Sequence, residues 1–291
     1  MVNPSENHSQ NHFVSGLYLV ATPIGNLQDM TLRGLALLKK ADLIACEDTR
    51  TSGKLLSYFG IKTQLISYND HNAPRRRDKI LTALSENKIV ALISDAGMPL
   101  ISDPGYKLIC DVTQAGYYVS SMPGASAPLM ALQLSALPSD KFCFLGFVPN
   151  KQKARDGLFQ EWKTVPGTLI AFEAAPRLLA TLKSISKVLG NRKMAIAREL
   201  TKRFEDVQRE HVDAQIERIE KDGPPKGEIV LVISGPSDSD EESFGEAEIN
   251  SSLREHLKKH SLRESVDIVS ALSGEKRKTV YQYALELKQD E

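Results

Sequence analysis

Between Ile89 and Tyr106 the chain reads IVALISDAGMPLISDPGY. Five apolar residues, Ile89 to Ile93, stop abruptly at Ser94, Asp95, Ala96, Gly97 and Pro99, and the chain breaks again at Asp103, Pro104 and Gly105. A short continuous apolar run bounded by turn residues reads as a buried strand that feeds a loop. In open α/β sheets, ligands sit beyond the carboxyl ends of the strands. The loop after Ile93 is therefore the expected floor of a ligand site.

The rest of the first half repeats the pattern. Leu17 to Ala21 reads as a strand ending in the turn Thr22-Pro23-Ile24-Gly25-Asn26. Asp29 or Thr31 caps a helix with Leu32, Leu35, Leu37 and Leu38 at helical spacing. Leu43 to Cys46 is a second strand, followed at once by Glu47-Asp48-Thr49-Arg50. A helix over Thr51 to Phe59 stops at Gly60, and Gln64 to Ser67 is a third strand. A polar loop, Tyr68 to Pro74, carries Asp70 and His71. Helices over Arg75 to Glu86 and Tyr106 to Ala115, with a strand at Tyr118 to Ser121, complete the series. Strands alternating with helices at this spacing imply βαβ units and a mostly parallel sheet.

The turn Pro123-Gly124-Ala125-Ser126 reads as a hinge, followed by a helix over Ala127 to Leu134. Beyond it, strands are expected at Phe142 to Phe147, Thr168 to Phe172, Met194 to Ala197 and Glu228 to Ile233. Helices are expected at Ala154 to Trp162, Arg177 to Leu189 and Asp213 to Lys221, and Arg203 to Glu210 reads as extended or a hairpin arm. This is a second α/β domain with a mixed sheet. Ser234 to Gly245 is a Ser/Asp/Glu/Gly tether, and Glu246 to Glu291 is helical. Ser261-Leu262-Arg263-Glu264 marks a helix start and Ser273-Gly274-Glu275 a turn, a helix-turn-helix pattern. The divisions are thus a frayed tail over 1–15, domains over 16–123 and 124–235, a linker over 236–245 and a helical module over 246–291.

Composition narrows the function classes. The 37 basic and 37 acidic side chains cancel, so a polyanionic partner has to be met by local patches. Such patches occur at Arg75-Arg76-Arg77, Lys151-Lys153-Arg155, Lys202-Arg203, Lys258-Lys259 and Lys276-Arg277-Lys278. Each alone is an ordinary solvated face. Cys46, Cys110 and Cys143 have no metal spacing and fit small buried hydrophobes in a reducing compartment. No run approaches the ~18 apolar residues of a membrane span, and the polar start MVNPSENHSQNHF lacks the apolar core of a signal peptide. A cytoplasmic protein with no membrane partner and no metal is expected.

The chemistry is read from the loops. The turn after the first strand has one glycine, so neither the G-x-G-x-x-G fingerprint nor a P-loop is present. Glu47 and Asp48 project from the same edge as Asp95; they read either as acids facing a ligand or as helix-capping residues. Asp95 and Asp103, flanking a Pro-rich bend, favour a cationic ligand such as a sulfonium, or else hold turns together.

Seven ordered stretches carry a resemblance: TPIGN, EDTR, NDHN, SDAGMPLISDPGY, PGASA, LPSDKFCFLGFVP and ARELTK. Together they are similar to the tetrapyrrole-methylase-like superfamily of S-adenosylmethionine enzymes, and within it to the ribosomal RNA small subunit methyltransferase I family. The resemblance covers about Leu17 to Ile233, and the helical tail fits the same layout. It implies two α/β domains with S-adenosylmethionine in the cleft between them, and a homodimer. It implies 2′-O-methylation of a cytidine ribose in the decoding region of 16S ribosomal RNA, on the small ribosomal subunit. Carried over by position, the cofactor site takes Pro23, Gly25, Ser94, Asp95, Ala96, Gly97, Met98, Pro99, Ile101 and Ser126. From the second domain it takes Phe147, Glu173, Ala197, Arg198, Glu199, Leu200 and Gly227. Placement on the cleft loops nominates Glu47, Asp103 and Lys202 for catalysis. Arg50, Arg75, Arg76, Lys151, Lys153, Lys276, Arg277 and Lys278 are the candidates for RNA contact. Met98 stands where the family has Thr, and Ala125 where it has Pro. The rival readings are a tetrapyrrole C-methyltransferase, which would not need the tail, and a non-catalytic ribosome-binding protein, which would not bind the cofactor.

Overall fold

The computed structural model describes residues 12–69, 73–236, 246–273, 275 and 277–289. Residues 1–11 of the expected frayed start, the loop residues Asp70 and His71, Lys276 and most of the linker lie outside the described residues, while Phe13, within the expected tail, stands edge-on to Tyr18 at 5.9 Å.

The first sheet is built from β1 (Gly16–Val20), β2 (Leu43–Cys46), β3 (Leu65–Ser67), β4 (Ile89–Ile93) and β5 (Val119–Met122). They lie in the order β3-β2-β4-β1-β5, and every neighbouring pair is parallel. β4, the apolar run read first in the sequence, is the central strand, and all five of its residues are buried. Its side chains alternate as a strand's must. Ile89, Ala91 and Ile93 join one core with Leu37 and Leu38 of α1 (Leu32–Lys40) and Leu56 of α2 (Thr49–Tyr58). Val90 and Leu92 join the other with Ile80 of α3 (Ala73–Ser85) and Leu108 of α4 (Tyr106–Gln114). Helices therefore cover both faces, which is why the strand has no polar position.

The second sheet is mixed. β6 (Phe142–Phe147) runs parallel to β7 (Thr168–Ala174), while β8 (Lys193–Arg198), β9 (Asp206–His211) and β10 (Glu228–Ile233) extend it antiparallel in the order β6-β7-β10-β8-β9. One face, with Leu169, Met194, Ile196 and Leu231, packs under α6 (Gln152–Trp162), α7 (Leu178–Leu189) and α8 (Val212–Asp222). The other face shows Ile170, Ala195, Ala197, Val230 and Val232 to α5 (Ala127–Leu134) and to Ile24 from the first half of the chain. The small side chains of Ala195 and Ala197 leave room for that approach. The remaining helices, α9 (Glu246–Leu257), α10 (Leu262–Ser273) and α11 (Arg277–Gln289), enclose their own core of Ile249, Leu253, Val266, Val269, Val280 and Ala284.

Local chemistry moves several expected ends. Thr31, not Asp29, caps α1 by accepting from Gly34 N at 3.0 Å, while Asp29 ends a short 3₁₀ turn. Asp48 accepts from Arg50 N at 2.8 Å and so starts α2 two residues earlier than the apolar spacing indicated. The segment expected as extended or a hairpin arm is β9, an edge strand. The tail holds three helices rather than two. Ser261 and Glu264 form a reciprocal capping box at α10, with Ser261 N donating to Glu264 Oε2 at 3.0 Å and Glu264 N to Ser261 Oγ at 3.3 Å.

Candidate functional site

β1 and β4 are neighbours, yet the chain leaves β1 toward β2 and leaves β4 toward β5, in opposite directions across the sheet. That is a topological switch point, where an open sheet leaves a crevice at its carboxyl edge. The two loops that leave it are stitched together. Thr22 N donates to Gly97 O at 2.9 Å, Gly97 N to Thr22 O at 3.0 Å, and Thr22 Oγ1 to Ser94 O at 3.1 Å. Ser94 Oγ reaches the carbonyls of Gly97 at 3.1 Å and Ala96 at 3.3 Å. Ser94 is buried and thus shapes the loop from beneath. Leu100 (φ 73°) and Ser102 (φ 67°) hold left-handed backbone, unfavourable for residues with a Cβ. The loop is over-determined by its contacts and held in a shape it would not adopt alone.

Facing this loop, the second sheet closes a cleft of about 800 Å³. Its first-domain wall is Ile24, Asp95 to Met98 and Ile101 to Asp103; Ser126 to Pro128 form its end. The far wall is Phe147, Phe172 to Pro176, Ala197, Leu200 and Pro224 to Val230. Phe172 stands edge-on to Phe144 at 5.0 Å and tilted against Phe147 at 5.1 Å, an aromatic wall suited to a flat ring. Gly97 (φ 78°) and Gly227 (φ 106°) let backbone come close to the cleft. A methyl group on Gly227 would lie 2.5 Å from Glu199 Cγ.

The carboxylates gather on the first-domain side. Asp95 Oδ1 accepts from Asp48 N at 3.2 Å, tying the β2 and β4 edges together. Asp103 lines the cleft and is pushed up to about 6, first by burial and then by the negative charge of Glu47, with Asp95 adding and a Ser94 hydrogen bond opposing. Glu47 is half-buried and electrostatically felt by Asp103, but is not part of the cleft wall. Asp48 is drawn down to about 2 by its hydrogen bonds with Arg50. It is therefore the helix cap that the sequence left open.

The other nominated residues divide cleanly. Asp95, Ala96, Gly97, Met98, Ile101, Ser126, Phe147, Glu173, Ala197, Leu200 and Gly227 all line the cleft. Pro23, Gly25, Ser94, Pro99, Arg198 and Glu199 are not among the lining residues. Glu173 is on the wall, but its oxygens are consumed: Oε1 by Arg177 Nη2 at 2.7 Å and by Ala174 N at 2.6 Å, Oε2 by the Thr181 hydroxyl. Only 1% of its side chain is exposed. Lys202 also stands off the cleft, its Nζ 2.9 Å from Glu199 Oε1 and 3.0 Å from Glu228 Oε2. Burial works against its charge, but those two carboxylates outweigh burial and raise its pKa. A methyl on Gly25 would meet Lys202 Cγ at 2.5 Å, and Asn26 N donates to Thr201 Oγ1 at 3.0 Å. Lys202 and its neighbours thus join the first-domain turn to the second sheet.

Among the nominated RNA contacts, Arg50 is 87% exposed but paired with Asp48 at 2.7 Å, and Arg277 is paired with Asp267 at 2.5 Å. Arg76 is half-buried, Lys151, Lys153 and Lys278 are exposed, and the side chain of Arg75 is not among those described. None lines the cleft. Among the described residues no three metal-ligating side chains gather, and no helix is long and apolar enough to cross a membrane. Sequence reading missed Ile24, Ser102, Ala127, Pro128, Phe172, Ala174 to Pro176, Pro224 to Lys226 and Glu228 to Val230. The break Gly223-Pro224-Pro225-Lys226-Gly227 just before an apolar strand carried the same kind of signal as the Asp95 loop.

Comparison with known proteins agrees with this geometry. The family model for tetrapyrrole (corrin/porphyrin) methylases matches residues 16–214, and that of the RsmI C-terminal HTH domain matches residues 245–288. A solved uroporphyrin-III-C-methyltransferase from Thermus thermophilus has the same fold, with a TM-score of 0.52 at 18% identity, covering 76% of this chain and 94% of that one. Two curated relatives are each called ribosomal RNA small subunit methyltransferase I. The one from Erythrobacter litoralis is 45% identical, over 97% of this chain and 99% of its own. That from Rickettsia prowazekii is 43% identical, over 76% of this chain and 79% of its own. Fold, cleft, tail module and near end-to-end identity converge, and the chain belongs to the ribosomal RNA small subunit methyltransferase I family of tetrapyrrole-methylase-fold enzymes.

Proposed function

We propose that this protein transfers the methyl group of S-adenosylmethionine to the ribose 2′-hydroxyl of a cytidine in the decoding region of 16S ribosomal RNA. The observation that carries the reading is the near end-to-end identity with relatives named for methylation of small-subunit ribosomal RNA. The reading includes a homodimer acting in the cytoplasm on the small subunit, and a chain divided near residue 123 into two α/β domains; the sequence resemblance is its support.

The cleft residues suit the cofactor. An adenine needs apolar and aromatic surface, which Ile24, Met98, Phe147 and Phe172 offer. A sulfonium is favoured near carboxylates, and Asp95 and Asp103 lie on that wall. Gly97 and Gly227 leave backbone open to a closely fitted ligand. Bound there, S-adenosylmethionine would supply an electrophilic methyl group.

The protein's own work is positioning and proton removal. The stitched Ser94 to Gly105 loop fixes one wall and the second sheet the other, which is what in-line transfer demands. A ribose hydroxyl is a weak nucleophile, and of the carboxylates on that wall Asp103 is the one whose basicity is raised, which suits it to accept the proton. A carboxylate raised to about 6 is ionised at neutral pH yet more basic than an ordinary one. Glu47 acts through Asp103 by its charge, and Lys202 holds the cleft's two sides. Supplying 30S subunits and S-adenosylmethionine to wild type and Asp103→Asn tests this. Turnover in Asp103→Asn equal to wild type removes Asp103 from the reaction.

A further inference from the structure

Among the described residues that line the cleft, Asp95, Asp103, Glu173 and Glu228 are acidic and Lys226 is the one basic side chain, with Glu173 paired to Arg177 and Glu228 to Lys202 from outside the lining. Lys226 lies in the five-residue loop between α8 and β10, Gly223-Pro224-Pro225-Lys226-Gly227. Four of those five residues line the cleft. The loop enters through Gly223 (φ 82°) and leaves through Gly227 (φ 106°), conformations open to glycine and strained for other residues. Between them, two prolines restrict the backbone.

The loop's position is set by its main chain. Arg198 Nη1 donates to Lys226 O at 3.2 Å. Gly227 sits against Glu199, and Glu228 N donates to Glu199 Oε1 at 2.9 Å. Lys202 then links Glu199 and Glu228. The Lys226 side chain takes no part in this. It is exposed, and among the described residues its ammonium has no carboxylate partner. A fixed main chain carrying an exposed, unpaired ammonium among the cleft's lining residues is the arrangement expected where an anion must be admitted.

Resting on the proposed function, we infer that Lys226 takes a phosphate of the RNA strand at the mouth of the cleft, and so sets the target ribose against the Asp103 wall. Asp95 and Asp103, which have no cationic partner among the described residues, repel the polyanion on which the enzyme acts. Lys226 is the cleft-lining side chain that offsets that repulsion, and Arg50 and Arg277 are each neutralised by a neighbouring carboxylate.

The test compares wild type, Lys226→Gln and Lys226→Arg for methylation of 30S subunits across a salt series, with S-adenosylmethionine affinity measured by calorimetry. Lys226→Gln should raise KM for 30S subunits roughly tenfold at low salt, the scale of losing one charge-assisted contact. It should also make the slope of log KM against log salt shallower by about 0.7, one released counterion on a single strand. Lys226→Arg should restore both, and calorimetric affinity should not change. An unchanged KM and slope in Lys226→Gln overturn the inference, as does a loss confined to cofactor affinity, which would assign the ammonium to the cofactor's carboxylate. A wild-type enzyme that neither binds S-adenosylmethionine nor methylates 30S subunits instead overturns the functional reading beneath it.

Discussion

Asp103 couples the stability of the fold to pH. Its carboxyl is near 6 when folded and in the ordinary range, about 3.9, when unfolded. The folded state therefore holds this proton more tightly, and the contribution of Asp103 to stability falls as pH rises from about 4 to about 6. Above that window its ionised form is a cost of about 1 kcal/mol after discounting for its partial exposure. Asp103→Asn should accordingly melt slightly higher than wild type at pH 7.5 and show no gain at pH 3.5. Its turnover should drop by about 10²–10⁴-fold, and the wild-type rate should rise through about pH 6. A melting gain with undiminished turnover would leave the electrostatics standing and remove the catalytic role. At Gly227, Ala meets both a positive φ and the Glu199 side chain. Gly227→Ala should cost about 1–3 kcal/mol in urea unfolding and weaken calorimetric cofactor binding.

At the scale of elements, the pair between buried Glu173 and partly exposed Arg177 fixes the turn from β7 into α7 and with it Ala174 to Pro176 of the cleft wall. Breaking a buried pair from one side leaves an uncompensated charge. Arg177→Met should cost about 3–5 kcal/mol by denaturant melt, while the double variant Glu173→Gln/Arg177→Met should recover much of it. Equal loss in single and double variants would show that the pair's charges are not what holds the turn. This element also marks how far the sequence could be read. β4 and β6 were legible to the residue because apolar runs with abrupt polar ends have one reading. The cleft loop was legible for the same reason. Glu173 was named, but not that its oxygens are spent on Arg177 and Thr181, since a partner four or eight residues away looks like any helical charge pair. Lys202 looked free for catalysis because Glu228, which pairs with it, is remote in sequence. The second-domain wall from Pro224 to Val230 was legible in principle, as a Gly-Pro break before a strand, but without a partner loop such a break reads as an ordinary turn.

Across the whole molecule, Ile24 reaches from the turn after β1 into the core on one face of the second sheet, packing with Ala195, Ala197, Leu200 and α5. Ile24→Ala should cost about 2–4 kcal/mol through the cavity it leaves, and should weaken S-adenosylmethionine binding because the cleft's two walls meet there. A loss of stability with unaltered cofactor affinity would show that the walls are set independently. The central claim is that this cleft methylates a ribose hydroxyl of small-subunit ribosomal RNA. The most direct measurement supplies methyl-labelled S-adenosylmethionine and 30S subunits to the full chain and maps the label by nucleotide. Label is expected on the ribose 2′-oxygen of a cytidine in the decoding region, at a rate about 10²–10⁴-fold lower in Asp103→Asn. Label on a base, on protein or on an added tetrapyrrole, with none on ribose, would contradict it.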